Sequence, residues 1–229
     1  TIILWDARAS CISQEWFAHD DRVNSLAFSP DGRYLASAGG EKVAIWDISG
    51  SSHQVATLEG QTSAEYASTA AFSPESTHVA VGYRNGRIRV WDIGTRQEPL
   101  LCKDDTGGVT DVAFSPDGRL LLSASNDKTA KTWDARTGAL IHVLEGHENW
   151  VPKARFSPCG KYIASASYDG TVRVWRTSDG CCLATLSDHG DSVLHVTYTP
   201  DGTMLWSAAR NGTVLGRRVQ DCMPGESEF

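Results

Sequence analysis

The sequence predicts an all-β fold assembled from repeated four-stranded antiparallel sheets. Three observations predict it. A pentapeptide of the type Phe-Ser-Pro-Asp-Gly returns along the chain, a tryptophan ladder keeps step with it, and Asn-Gly or Asp-Gly turns separate short alternating runs.

The pentapeptide begins at Phe28, Phe72, Phe114, Phe156 and Tyr198, so successive starts differ by 44, 42, 42 and 42 residues. The ladder of Trp5-Asp6, Trp46-Asp47, Trp91-Asp92, Trp133-Asp134 and Trp175-Arg176 runs in phase with it. Residues 147 to 188 show how one unit reads. Trp150 to Phe156 is a first strand that ends at Ser157-Pro158, because proline cannot donate to a ladder. Tyr162 to Ser167 is a second strand. Asp169-Gly170 is a hairpin signal, Thr171 to Trp175 alternates as a third strand, and Cys182 to Leu186 is a fourth. Such a sheet cannot bury both faces alone, so copies must stack, and radial stacking gives a propeller. The repeats are expected at about 19–60, 63–104, 105–146, 147–188 and 189–219, preceded by half a blade at 1–18 and followed by a polar tail at 220–229. Counting gives 21 strands, or about five blades.

These motifs resemble the WD40 repeat family over roughly residues 1 to 219: the Trp-Asp dipeptides, Gly146-His147, and the turns at Asn85, Asp169 and Asn211. The resemblance implies a ring of four-stranded blades, usually seven, that serves as a protein-interaction platform. Two arrangements of the ends stay open. The chain is a stretch of a longer propeller, or the N-terminal strands complete the last blade, Thr1 to Asp6 replacing the degraded strand around Gly216-Arg217. Two copies sharing one larger ring is a further variant.

The resemblance also implies a hydrogen-bonded network in each blade, best matched by His147, Ser165, Asp169 and Trp175. The pattern is incomplete elsewhere: Ser63 and Asp105 stand at the histidine position, and Arg217 stands where the last tryptophan is expected. Uneven blade stability follows, with residues 147 to 188 the best-ordered unit. Alignment to the family places partner-binding residues on one rim, at Arg22, Tyr66, Arg84, Asn126, Trp150, Tyr168 and Arg210. Tryptophan, tyrosine and arginine are the types enriched at binding hot spots.

Composition fits this reading. Hydrophobic residues make up 41% and charged residues 21% of 229, ordinary for a chain that buries a core. A net charge of −7 argues against phosphate binding, which needs clustered cations. There is no run of about 18 apolar residues as a membrane helix requires, and Thr1 to Asp6 reads as a strand rather than a leader. The six cysteines form no C-x-x-C pair and read as free thiols of an intracellular protein, cytoplasmic or nuclear. Asp188-His189-Gly190-Asp191-Ser192 holds the residue types of a hydrolase triad, but residues so close in sequence rarely converge. Phosphate-cradling spacing is absent, and no metal, cofactor or small-molecule substrate is expected. The function expected is a non-catalytic scaffold or adaptor binding proteins or peptides. The alternatives are a sensor portion of a larger signalling protein, or a reader of nucleic acid or histone tails.

Overall fold

The computed structural model describes residues 1–50, 53–59, 65–95, 97, 100–103 and 107–222. Among them are 21 strands and one helical turn. A hairpin of β1 (Ile2–Asp6) and β2 (Cys11–Trp16) precedes the blades. Blade 1 is β3 (Val23–Phe28), β4 (Tyr34–Gly39), β5 (Lys42–Asp47) and β6 (His53–Glu59). Blade 2 is β7 (Ala67–Phe72), β8 (His78–Tyr83), β9 (Arg87–Asp92) and β10 (Leu100–Lys103). Blade 3 is β11 (Val109–Phe114), β12 (Leu120–Ser125), β13 (Ala130–Asp134) and β14 (Leu140–Leu144). Blade 4 is β15 (Lys153–Phe156), β16 (Tyr162–Ala166), β17 (Val172–Arg176) and β18 (Cys182–Leu186). Blade 5 has three strands, β19 (Val193–Tyr198), β20 (Met204–Ala209) and β21 (Val214–Arg218), and α1 (Val219–Cys222) follows. Strands in each blade pair in sequence order, all antiparallel.

Two features bear on the ends of the chain: one decides against an arrangement left open by the sequence, and the other departs from the expected tail. β21 itself is the third strand of the last blade, and β1 pairs with β2 in a sheet of their own, so Thr1 to Asp6 does not complete blade 5. Residues 220–222, expected to begin a tail, form with Val219 a helical turn, and Val219 is buried against blade 5.

The core lies between blades rather than within them. Ala36, Val43 and Ile45 of blade 1 pack with Ala70, Phe72 and Val81 of blade 2, and the same layering returns at each junction. This is why strands β4, β8, β12 and β16 are buried along nearly their whole length: both faces of a middle strand meet a neighbour. The N-terminal hairpin joins the stack through Ile2 and Trp16, with the Trp16 and Trp46 ring centroids 5.6 Å apart.

The two sequence ladders have local causes. In the Phe-Ser-Pro-Asp-Gly turn the serine hydroxyl bonds the aspartate two residues on (Ser115 Oγ to Asp117, 2.6 Å), and the glycine takes a left-handed φ of 72° at Gly118. Where the second repeat has serine instead, Ser76 adopts φ 60°. The aspartate after tryptophan shapes the turn to the fourth strand. Asp134 accepts from the amides of Arg136 and Thr137 and from the Thr137 hydroxyl. Blade 4 has Arg176 there and recruits Asp179 at 2.7 Å instead.

Candidate functional site: the loop-side rim and the networks beneath it

Blade 4 holds a continuous bond chain under the rim. The buried Trp175 indole donates to Ser165 Oγ at 2.8 Å, and His147 Nε2 lies 2.8 Å from the same hydroxyl. His147 Nδ1 lies 2.8 Å from Asp169 Oδ2. Burial, outweighing Asp169, keeps the imidazole pKa below its usual value. The neutral ring therefore donates from Nδ1 to Asp169 and accepts at Nε2 from the Ser165 hydroxyl. Every polar group in the chain is satisfied in one direction, which locks the rotamers of all four residues. Desolvation pushes the Asp169 carboxyl up. Bonds from the Thr171 hydroxyl, the Glu148 amide, His147 and the Thr171 amide outweigh it and bring the pKa to about 2.

The other blades keep parts of this chain. In blade 1, Ser37 Oγ receives the Trp46 indole at 2.9 Å and meets His19 at 2.8 Å, but the two-residue turn Gly40-Glu41 carries no aspartate. Gly39 packs so closely on His19 that an added Cβ would sit 2.9 Å from its ring. In blade 3, Ser123 receives Trp133 at 2.9 Å, while Asp127 pairs with Lys131. In blade 5, His189 meets Ser207 at 2.6 Å; its Nδ1 has no partner among the described residues, because Asn211 turns its amide to the His189 carbonyl. Arg217, in the tryptophan position, pairs with Asp188. Blade 2 departs most. Val81 occupies the serine position, and the Trp91 indole has no hydrogen-bond partner among the described residues. Fully buried Glu65 instead binds Arg87 at 2.7 Å and Arg89 at 3.0 Å. Ser63 and Asp105 lie outside the described residues.

The rim itself is built by one repeated backbone bond. In blades 2 to 5 the amide of a residue just past the second strand donates to the carbonyl of a residue just before the first: Arg84 to Tyr66 at 3.0 Å, Asn126 to Gly108 at 3.0 Å, Tyr168 to Trp150 at 2.9 Å, and Arg210 to Ser192 at 2.9 Å. Among the expected rim residues, Tyr66 with Arg84 and Trp150 with Tyr168 thus meet in pairs within blades. The Trp150 and Tyr168 rings lie 6.0 Å apart, and the Arg210 guanidinium of blade 5 sits 5.6 Å from the Tyr168 ring. This aromatic–cation row is the only place where three of the seven residues stack among the described contacts. Trp150 stays 49% exposed and Tyr66 42%, values that leave both rings available for contact. Arg22 and Arg84 are exposed and Asn126 is half-buried. Gly108 opens blade 3 without a side chain, and an added Cβ would lie 2.8 Å from the Arg84 carbonyl.

Residues two positions further on have another duty. Asn24, Ser68 and Thr110 each bond a carbonyl of the next blade, at Ala67, Val109 and Val151. These are blade-to-blade clasps. The Asp188–Ser192 segment does not form a triad: His189 turns to Ser207, Ser192 Oγ to the Tyr168 carbonyl, and Asp188 to Arg217. No cluster of three metal-ligating side chains occurs among the described residues, where five cysteines are free thiols and no helix is long and apolar enough to cross a membrane. Pattern reasoning missed buried Glu65, which precedes the first strand of its blade as an acid inside an apolar frame. Only its partners Arg87 and Arg89, two apart in the alternating stretch after the Asn85-Gly86 turn, hinted at it.

Comparison with known proteins agrees with the repeat. Parts of the chain are similar to the target of rapamycin complex subunit wat1 of Schizosaccharomyces pombe, 34% identical over 94 residues, covering 41% of this chain and 29% of that protein. Nuclear distribution protein PAC1-1 of Uncinocarpus reesii is 43% identical over 61 residues, covering 26% of this chain and 14% of its own. Cilia- and flagella-associated protein 52 of Bos taurus is 32% identical over 95 residues, covering 40% and 15%. The chain thus spans less than a third of these relatives. The family model described as WD domain, G-beta repeat matches residues 10–47, 52–92, 98–134, 138–176 and 180–215, and with five repeats over most of its length the chain belongs to the WD40 family.

Proposed function

We propose that this chain is a non-catalytic protein-interaction scaffold that presents its loop-side rim to protein or peptide partners. The observation that carries this reading is the row of Trp150, Tyr168 and Arg210 on the loop side of blades 4 and 5, with Trp150 and Arg210 exposed and Tyr168 half-buried between them. Large aromatic rings with a stacked guanidinium offer contact area that loses little side-chain freedom on binding. Tyr66 with Arg84 on blade 2, then Arg22 and Asn126, extend the same surface. The blade networks support it by fixing the loops from below. Relatives whose names place them in a target of rapamycin complex and in nuclear distribution favour an intracellular setting and a role in assemblies.

The test is affinity capture from lysate, comparing the wild-type chain with Trp150→Ala/Tyr168→Ala. Specific partners should be lost with the variant while far-UV circular dichroism stays unchanged. Equal capture by both overturns the rim assignment.

A further inference from the structure

The first strand of each blade lies innermost, and consecutive first strands pack directly on one another. One position on them is occupied in turn by Ser25, Thr69, Asp111, Lys153 and His195. These side chains form a file across blades. Ser25 Oγ lies 3.4 Å from the Ala70 amide, and Thr69 Oγ1 lies 3.5 Å from Asp111. Asp111, 2% exposed, collects Lys153 Nζ at 3.1 Å and the Arg155 guanidinium. Two cationic side chains therefore share one carboxylate, and the described cluster has a formal excess of one positive charge. Lys153 has three N–H donors and makes one bond, so donors remain for a ligand. The imidazole of His195 reports the same field. Its pKa is lowered by desolvation and then by Lys153 and Arg155, with Asp111 opposing.

Arg155 also lines a cavity of about 400 Å³ at the mouth opposite the rim. Its wall comes from the Phe-Ser-Pro turns of all five blades, with Phe72, Phe114, Phe156 and Tyr198 among the aromatic members and Pro116 and Pro158 among the prolines. The mouth is thus apolar around the Arg155 guanidinium as its floor, with Lys153 on the same carboxylate. We propose that this mouth binds a short apolar peptide segment through the carboxylate of an acidic residue, held by Lys153 and Arg155. The apolar ring receives the flanking side chains, and the surplus charge receives the anion in a charge-assisted bond. A free phosphate would satisfy the floor but not the ring.

Isothermal titration of the whole chain at low salt tests this with acetyl-Leu-Glu-Leu-amide, its Gln counterpart and inorganic phosphate. The Glu peptide should bind saturably and about tenfold more tightly than the Gln peptide, an increment on the order of one charge-assisted hydrogen bond. Lys153→Gln should remove that preference and Lys153→Arg should keep it. Thr197→Glu, which places a carboxylate in the cavity wall without touching the partners of Asp111, should block binding even if Lys153→Gln fails to fold. Trp150→Ala/Tyr168→Ala should bind the Glu peptide normally, so failure of the rim reading is distinguishable. Equal binding of the Glu and Gln peptides, no binding, or phosphate binding more tightly than the Glu peptide would each overturn the proposal.

Discussion

Blades 4 and 2 bury polar groups at the same depth in opposite ways. Blade 4 uses neutral groups in a directed chain from Trp175 to Asp169, with the one charge at its outer end. Blade 2 has lost the serine to Val81 and places an ionic cluster, Glu65 with Arg87 and Arg89, beside a tryptophan whose N–H lacks a partner among the described residues. The difference teaches that the same layer of a blade can be filled by a neutral chain or by ion pairs, and that blade 2 keeps its fold with the Trp91 indole N–H lacking a partner among the described residues. It also separates two kinds of fragility: a neutral network loses hydrogen bonds, whereas buried ions lose the compensation of a whole charge.

The largest effect should come from breaking the ionic blade. Glu65→Gln leaves Arg89 buried beside a neutral amide and should cost about 3–5 kcal/mol by urea denaturation, while Glu65→Leu/Arg89→Met should recover most of it. A loss under about 1 kcal/mol for the single variant would show that the cluster is well solvated. Next, Ser165→Ala orphans the Trp175 indole and His147 Nε2 together, at about 1–3 kcal/mol for each orphaned group. If blade 4 tolerates it as well as blade 2 tolerates Val81, the comparison fails.

Acid should separate the blades further. His19, His147 and His189 have pKa values lowered in the fold, so the unfolded chain binds more protons once pH falls below the ordinary histidine value of 6.5. Their contribution is complete above 6.5 and is lost as pH falls through the folded values. Asp169 adds a second window, complete above 3.8 and lost toward about 2. Hydrogen exchange followed from pH 7 to 5 should therefore loosen blades 1, 4 and 5 before blade 2; uniform loosening would contradict the assignment. The smallest effect is a repair: Val81→Ser should give the Trp91 indole an acceptor and stabilise the fold by up to about 1 kcal/mol, read as a slightly higher thermal midpoint. No rise would mean that the lost apolar packing outweighs the new bond.

Legibility in the sequence followed locality. Strands, turns and the Trp175–Ser165–His147–Asp169 set repeat with a fixed offset, so one blade explains the rest. The turn at Gly40-Glu41 was readable as one residue short, and it is the reason His19 lacks an aspartate. The rim pairs Tyr66–Arg84 and Trp150–Tyr168 were placed by alignment to one rim. That Arg210 reaches back over Tyr168 from the next blade was not readable, because it depends on the packing between blades. Completion of blade 5 by the N-terminal strands, one of the two arrangements left open, could not be decided from the sequence for the same reason, since pattern matching cannot say which edge a strand meets.

By itself the sequence determined the repeat, the strand order within each sheet and the residues whose polar groups must be paired, because hydrophobic alternation, turn chemistry and hydrogen-bond inventory act over a few residues. Only the tertiary structure decided what happens between blades. Asp111 meets Arg155 across 44 residues, Ser68 clasps Val109 across 41, and β1 takes β2 rather than β21 as its partner. Those choices depend on the angle and spacing at which one twisted sheet stacks on the next, a property of whole packed faces that no single segment encodes.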